Sequence, residues 1–305
     1  MLRAWIAADS ATAQLIQEAR SIARTSSAVL IRGENGAGKS LLAWILHALG
    51  PRANCPFISV DCASIPQDLL ETELFGDELN AGTLSGRLKS AAGGTAVLDN
   101  VETLTIAAQA KLLRLMEDRR FDAGLNGRAV SPAPVDARII ALTSRNLDEA
   151  VARRTFREDL YYRLNVIPIM VPALRERPSD IRPLAGAFLR QLAATNRLPR
   201  LTLDPSALAA LESYSFPGNV RELRHLLDRA ARSASGADIQ LKDLPPQLRE
   251  SFSGAARSKI SLEELERAYI SEVLDHTRGK KTMAAKILGI SRKTLLEKRK
   301  RYGLN

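Results

Sequence analysis

Residues 33–40 read Gly33, Glu34, Asn35, Gly36, Ala37, Gly38, Lys39 and Ser40, matching G-x-x-x-x-G-K-[ST] at every fixed position. This spacing suits phosphate chemistry. Glycines let successive backbone N–H groups turn inward on an anion, and a helix starting at the lysine adds the partial positive charge of its N-terminus. Lys39 would reach the β- and γ-phosphates of a nucleoside triphosphate, and the Ser40 hydroxyl would ligate Mg²⁺. Asp99 ends an apolar run, Thr95–Asp99, about sixty residues further on, where an acid holds Mg²⁺ in such sites. The next residue in hydrolytic versions is a Glu that orients the attacking water. Here it is Asn100, whose amide hydrogen-bonds water but accepts no proton, and loss of a positioned base costs about 10²–10⁴ in rate.

Further cations bear on the same chemistry. Arg157 and Arg163 stand six apart just before an apolar run. Alone they read as surface ion-pair partners; after a phosphate-binding core they are candidate arginine fingers for a neighbouring subunit's γ-phosphate. Arg221 opens a helix after Phe216-Pro-Gly218 and is either a helix-surface cation or a group facing the same phosphates.

The elements around these residues form a pattern. Ser27–Ile31 reads as a buried strand before the glycine loop, and Leu41–Leu46 as a helix after it. Phe57–Val60, Thr95–Asp99, Arg138–Leu142 and Val166–Val171 complete a set of five strands, and residues 9–26 form a leading helix. Short buried strands separated by helices predict an α/β fold with a doubly wound parallel sheet and its ligand at the C-terminal edge. After Pro172 the strand-like runs stop, and residues 180–248 read as wholly helical, a lid. The small, polar residues 249–260 read as a linker. The expected division is therefore a core over 1–171, a lid over 172–248, the linker, and a last module over 261–305.

Charge singles out that last module. Of a net charge of +10, residues 276–305 carry ten Lys or Arg against one acid, Glu297. A nearly neutral body with a basic end implies a polyanionic partner. The local pattern is helix-turn-helix: an amphipathic helix through Leu262, Leu265, Tyr269 and Val273, a short helix Thr282–Leu288, a turn at Gly289, Ile290 in the core, and Ser291 capping a cationic helix from Arg292. Arg292, Lys293 and Thr294 lie at the end that reads base edges of double-stranded DNA. Lys298, Arg299 and Arg301 suit phosphates, and Lys281 and Ser291 flank the same surface.

The remaining composition excludes several classes. No run of about eighteen apolar residues is present, so nothing predicts a membrane span. The N-terminus lacks a signal-peptide pattern. Cys55 and Cys62 flank a strand and read as reduced thiols, which fits a cytoplasmic protein. The histidines, His47, His225 and His276, are too scattered for a zinc site.

Taken together, the chain resembles the bacterial enhancer-binding proteins, the NtrC-type activators of sigma-54 RNA polymerase, along essentially its whole length. The resemblance rests on Gly33–Ser40, Glu73–Gly76, Gly93–Asp99, Gln109–Arg114, Phe156–Asn165, Pro172–Arg177, Phe216–Leu223 and Lys281–Leu304. It implies an AAA+ ATPase core with an α-helical lid and a Fis-type DNA-binding module. It also implies ATP and Mg²⁺ as ligands, self-association as a dimer or ring, a palindromic DNA site, and RNA polymerase holoenzyme as partner. No receiver domain is expected ahead of the core, since the first helix begins near residue 9.

Four departures accompany the resemblance. The polymerase-contacting loop, Gly-Ala-Phe-Thr-Gly-Ala in the family, falls in a shortened segment, Asp77–Ala92, where Leu84 and Ser85 are the nearest substitutes for Phe-Thr. The catalytic Glu is Asn100. The Asn that couples to that Glu is Asp61, and the sensor Asn after strand four is Ser144. All four bear on hydrolysis or its transmission. They imply a nucleotide-binding DNA regulator with slow or absent ATPase, against the alternative of a working ATPase that remodels sigma-54 polymerase.

Overall fold

The computed structural model describes residues 5–76, 86–118, 136–196, 201–234, 236–246, 248, 270, 273–274, 277 and 281–302. Residues 77–85 of the shortened loop, the 249–260 linker and most of the first helix of the last module lie outside the described residues.

Five strands form one parallel sheet in the order β2-β3-β4-β1-β5: β1 Val29–Arg32, β2 Phe57–Asp61, β3 Thr95–Asp99, β4 Arg138–Thr143 and β5 Ile167–Met170. The central strands are the most apolar because both their faces are covered. All six residues of β4 are buried, as are Val29, Leu30 and Ile31. Alternation divides the core in two. Leu30, Ala96, Leu98, Ile139 and Ala141 pack with α3 (Gln67–Phe75), α4 (Ile106–Asp118) and α5 (Glu158–Leu164). Val29, Ile31, Val97, Ile140 and Leu142 face α1 (Ser10–Ala23) and α2 (Lys39–Ala48). Pro168 is tolerated in β5 because this is an edge strand.

The lid surrounds its own core, built from α6 (Ile181–Asn196), α7 (Pro205–Glu212) and α8 (Asn219–Ser233), with Phe216, Leu223 and Leu227 fully buried. One expectation is corrected here. The lid is not wholly helical, because Thr202–Leu203 and Asp238–Ile239 pair as a two-stranded parallel ribbon. Two-residue strands carry too little periodicity to be seen in sequence, and this pair exists because the lid core brings two loops side by side.

In the last module, helices Lys281–Ile287 and Arg292–Tyr302 flank a turn in which Gly289 has φ 65°. Ala284, Ala285, Leu295 and Tyr302 pack with Ile270, Val273 and Leu274 around a small core. Among the described residues no helix is long and apolar enough to cross a membrane.

Candidate functional site

The glycine loop joins β1 to α2 at the C-terminal edge of the sheet. Gly38 adopts φ 115° immediately before Lys39, a conformation that lets α2 begin there. Gly36 has φ 77°, and a methyl group on it would lie 2.3 Å from the carbonyl oxygen of Gly218 in the lid. The loop therefore needs glycine for its own turn and to admit the lid.

Lys39 is buried and donates to the carbonyls of Gly33 (2.9 Å) and Glu34 (3.2 Å). Burial lowers its pKa, opposed by the charges of Asp99 and Glu102. Ser40 Oγ donates to Asp99 Oδ2 at 3.1 Å. A hydroxyl and a carboxylate converging at the start of α2 and the end of β3 are the hard oxygen donors that suit Mg²⁺. Ser144 follows β4 directly, and Gly33 N donates to the carbonyl of Thr143 at 3.2 Å, so Ser144 lies beside the loop.

Asn100 is in the left-handed region, φ 54° and ψ 47°, where asparagine is among the few tolerated residues. Its Nδ2 donates to Asp61 Oδ1 at 2.8 Å. That contact spans the ends of two paired strands, since Asp61 and Asp99 are in register.

The lid grips the loop through residues whose roles no local pattern assigns. Arg175 forms a two-pronged ion pair with Glu34, at 2.6 and 2.9 Å. Asn219, fully buried, donates from Nδ2 to Glu34 Oε2 (3.0 Å) and to the Asn35 carbonyl (3.1 Å), while its Oδ1 accepts from Leu174 N (2.7 Å). These bonds, Arg175 first, hold the Glu34 carboxyl down at a pKa of about 2. Arg177 donates to the Ala37 carbonyl at 2.6 Å and lies 3.7 Å from Asp180. Asp180, also buried, accepts from Ala8 N, Asp9 N and Thr12 Oγ1. Trp5 lies under the Arg177 guanidinium, 5.6 Å away. Loop, lid and N-terminal segment are thus tied by one buried Arg–Asp pair. The nearest sequence signals were the runs Pro172–Arg177 and Phe216–Leu223, neither of which assigns these roles. Arg221 lies beside the loop: its Cβ would be 3.0 Å from a methyl on Gly36.

The two candidate fingers are not brought to this site. Arg157 precedes α5 and pairs with Asp159 at 2.7 Å. Arg163 donates to the Met116 carbonyl and lines a cavity with Ser27, Asp136 and Ala137, at the edge where β1 and β4 begin. It therefore stands across the sheet from its own phosphate loop.

In the last module Ser291 Oγ accepts from Thr294 N at 3.0 Å and bonds Thr294 Oγ1 at 2.8 Å, so both hydroxyls serve the helix cap. Lys281, Arg292 and Lys293 are exposed, whereas Lys298 and Arg299 are half-buried. The Arg301 side chain lies outside the described residues.

Models of three families match successive parts of the chain: the Sigma-54 interaction domain over residues 5–170, the AAA+ ATPase lid domain over 175–261, and the Bacterial regulatory protein, Fis family, over 261–302. The chain belongs to the sigma-54-dependent activator family. It is 39% identical to Regulatory protein AtoC of Escherichia coli (strain K12), over 95% of this chain and 66% of that protein. It is 38% identical to DNA-binding transcriptional regulator NtrC of the same strain, over 93% and 66%. Identity to Nitrogen fixation protein VnfA of Azotobacter vinelandii is 39%, over 96% and 57%. The chain thus spans 57–66% of the length of these relatives. Among solved structures, NtrX from Brucella abortus in complex with ATP is similar at a TM-score of 0.76 and 33% identity, over 99% of this chain and 70% of that one. Family membership supports the sequence-derived architecture of a P-loop AAA+ core, helical lid and Fis-type helix-turn-helix.

Proposed function

We propose that this protein is a cytoplasmic transcription regulator that binds ATP and double-stranded DNA, hydrolyses ATP slowly, and does not engage sigma-54 polymerase in the usual way. One observation carries the reading: where a proton acceptor is expected at the end of β3, the Asn100 amide is bound to Asp61. The proposed parts are a core over 1–171, a lid over 172–248, a linker over 249–260 and a DNA-binding module over 261–305.

Binding follows from the loop. Lys39 and the backbone N–H groups of residues 36–40 would hold the phosphates, with Arg221 approaching from the lid. Ser40 and Asp99 would hold Mg²⁺, which neutralises phosphate charge when bound. The likeness to an ATP complex of NtrX supports the choice of nucleotide. The module after residue 261 would pair on a two-fold DNA site, and Arg157 and Arg163 would complete a neighbour's site within a ring. RNA polymerase holoenzyme is the proposed downstream partner. A second reading, a full ATPase that remodels sigma-54 polymerase, is favoured by the preserved Ser40–Asp99 contact.

Open-complex formation on a sigma-54 promoter with purified polymerase separates the two. The shortened 77–92 segment lacks Phe-Thr, and loss of an apolar anchor at a contact centre costs at least about 2 kcal/mol. The proposal expects ATP binding by calorimetry with no hydrolysis-dependent transcript. Robust transcript overturns it.

A further inference from the structure

We propose that Glu102, rather than Asn100, supplies the carboxylate that orients and deprotonates the attacking water in this site. The proposal rests on the reading of Gly33–Ser40 as an ATP site and names the group through which its slow hydrolysis runs.

The backbone supplies the first argument. After Asp99 the chain takes a left-handed residue, Asn100, and then a single 3₁₀ turn, Val101–Thr103. Thr103 closes the turn with N and Oγ1 both donating to the Asn100 carbonyl, at 3.0 and 2.8 Å. Val101 is fully buried and anchors it. A turn this tight cannot carry residue 102 away from the strand ends. It packs against β4 and against the Cys62–Ser64 turn that follows β2.

An orphaned atom supplies the second argument. Glu102 Oε2 is buried and has no hydrogen-bond partner among the described residues. Such an acceptor is destabilising, more so when charged, and its retention calls for an explanation such as a catalytic role or a bound water. The Asn100 amide nitrogen already donates to Asp61 Oδ1, which also accepts from Ala63 N.

Electrostatics supplies the third argument. The charges acting on Lys39 are those of Asp99, Glu102 and Arg221. Burial first, then Asp61, Asp99 and Glu102, pushes the Cys62 thiol up to about 12. Glu102 therefore lies within electrostatic reach of both Lys39 and Cys62. Asp61 stands on β2, at the far edge of the sheet from β1, with β3 and β4 between them.

The step balances without another reactant. Water oxygen bonds to the γ-phosphorus as the bond to the bridging oxygen breaks. The leaving electron pair stays on ADP, the water proton passes to Glu102, and the products are ADP and phosphate.

The test uses the full chain with E102Q, E102M and K39A. Hydrolysis is followed in a single turnover with protein in excess over labelled ATP. Affinities are measured for ATP and for ADP–aluminium fluoride, which mimics the transferring phosphoryl group with its in-line water, and Tm is recorded. E102Q is expected to bind ATP within a few-fold of the parent, to hydrolyse it at least about 10-fold more slowly, and to lose affinity for ADP–aluminium fluoride. E102M is expected to raise Tm, because it removes the orphaned acceptor. Parental hydrolysis by E102Q overturns the proposal. So does parental hydrolysis no faster than that of K39A, or unchanged ADP–aluminium fluoride affinity in E102Q. Failure of the parent to bind ATP would instead overturn the nucleotide-site reading.

Discussion

Asn100 and Asp61 are joined by a 2.8 Å hydrogen bond across the ends of two adjacent parallel strands, amide donating to carboxylate. By the family resemblance, the inner strand carries the carboxylate and the outer one the amide; here the order is reversed. The two positions therefore have to be treated as one unit.

For that reason N100E alone is expected to restore little turnover. It would set a second carboxylate against Asp61, and two like charges in one site drive one of them to protonate or turn away. The double variant D61N/N100E should exceed N100E by about 10-fold or more, the scale of a positioned base. Steady-state ATPase assays on all four members of the cycle give the coupling. Additive effects would show that the two side chains act independently.

The lid contacts predict a stability defect distinct from a binding one. D180A leaves the buried Arg177 without its counter-charge and the Ala8 and Asp9 N–H groups unpaired. Breaking a buried pair on one side costs about 3–5 kcal/mol. Denaturant unfolding in the absence of nucleotide is expected to show that loss, whereas K39A should unfold near the parental midpoint while its ATP affinity falls about 10–100-fold in calorimetry.

Glu34 gives a pH signature. Its folded pKa lies at about 2, below its ordinary 4.5, so the stability it contributes is complete above about pH 4.5 and is lost as pH falls toward 2. E34Q removes that dependence. Tm measured through the acid range should fall less steeply for E34Q than for the parent. Parallel curves would mean that the Arg175 and Asn219 contacts do not persist in solution.

Arg163 predicts complementation between subunits. It lies across the sheet from its own loop, so R163A should bind ATP normally yet lose turnover. Mixing R163A with K39A should recover part of it, because some interfaces then combine an intact loop with an intact arginine. No recovery at concentrations where ATP promotes oligomers would remove Arg163 from the site.

DNA contacts are expected to divide along the last helix. R292A and K293A should relax sequence discrimination, at about 1–3 kcal/mol for a lost base-reading contact. K298A and R299A should weaken all sequences alike and lower the salt slope by about one unit per lost phosphate contact. Binding isotherms on specific and scrambled duplexes at several salt concentrations separate the two.

Local chemistry was legible without the structure. The run from Ser27 to Leu46 encodes strand, turn and helix within reach of nearest-neighbour sterics, and the Lys281–Tyr302 module encodes its turn and cap through Gly289 and Ser291. Buried strands betray themselves by unbroken apolar runs, so the five-stranded sheet could be read from composition along the chain. Its strand order and register required the tertiary structure. So did the contacts that make the loop a site. Asn219 meets Glu34 across 185 positions and Arg177 meets Ala37 across 140, with no periodicity linking them. The pairing of Asp61 with Asn100 and the ribbon in the lid arise in the same way. Sequence spacing fixes which groups lie along one element, because backbone geometry is local. Which carboxylate faces which amide depends on where packing of the whole core leaves the ends of separate strands.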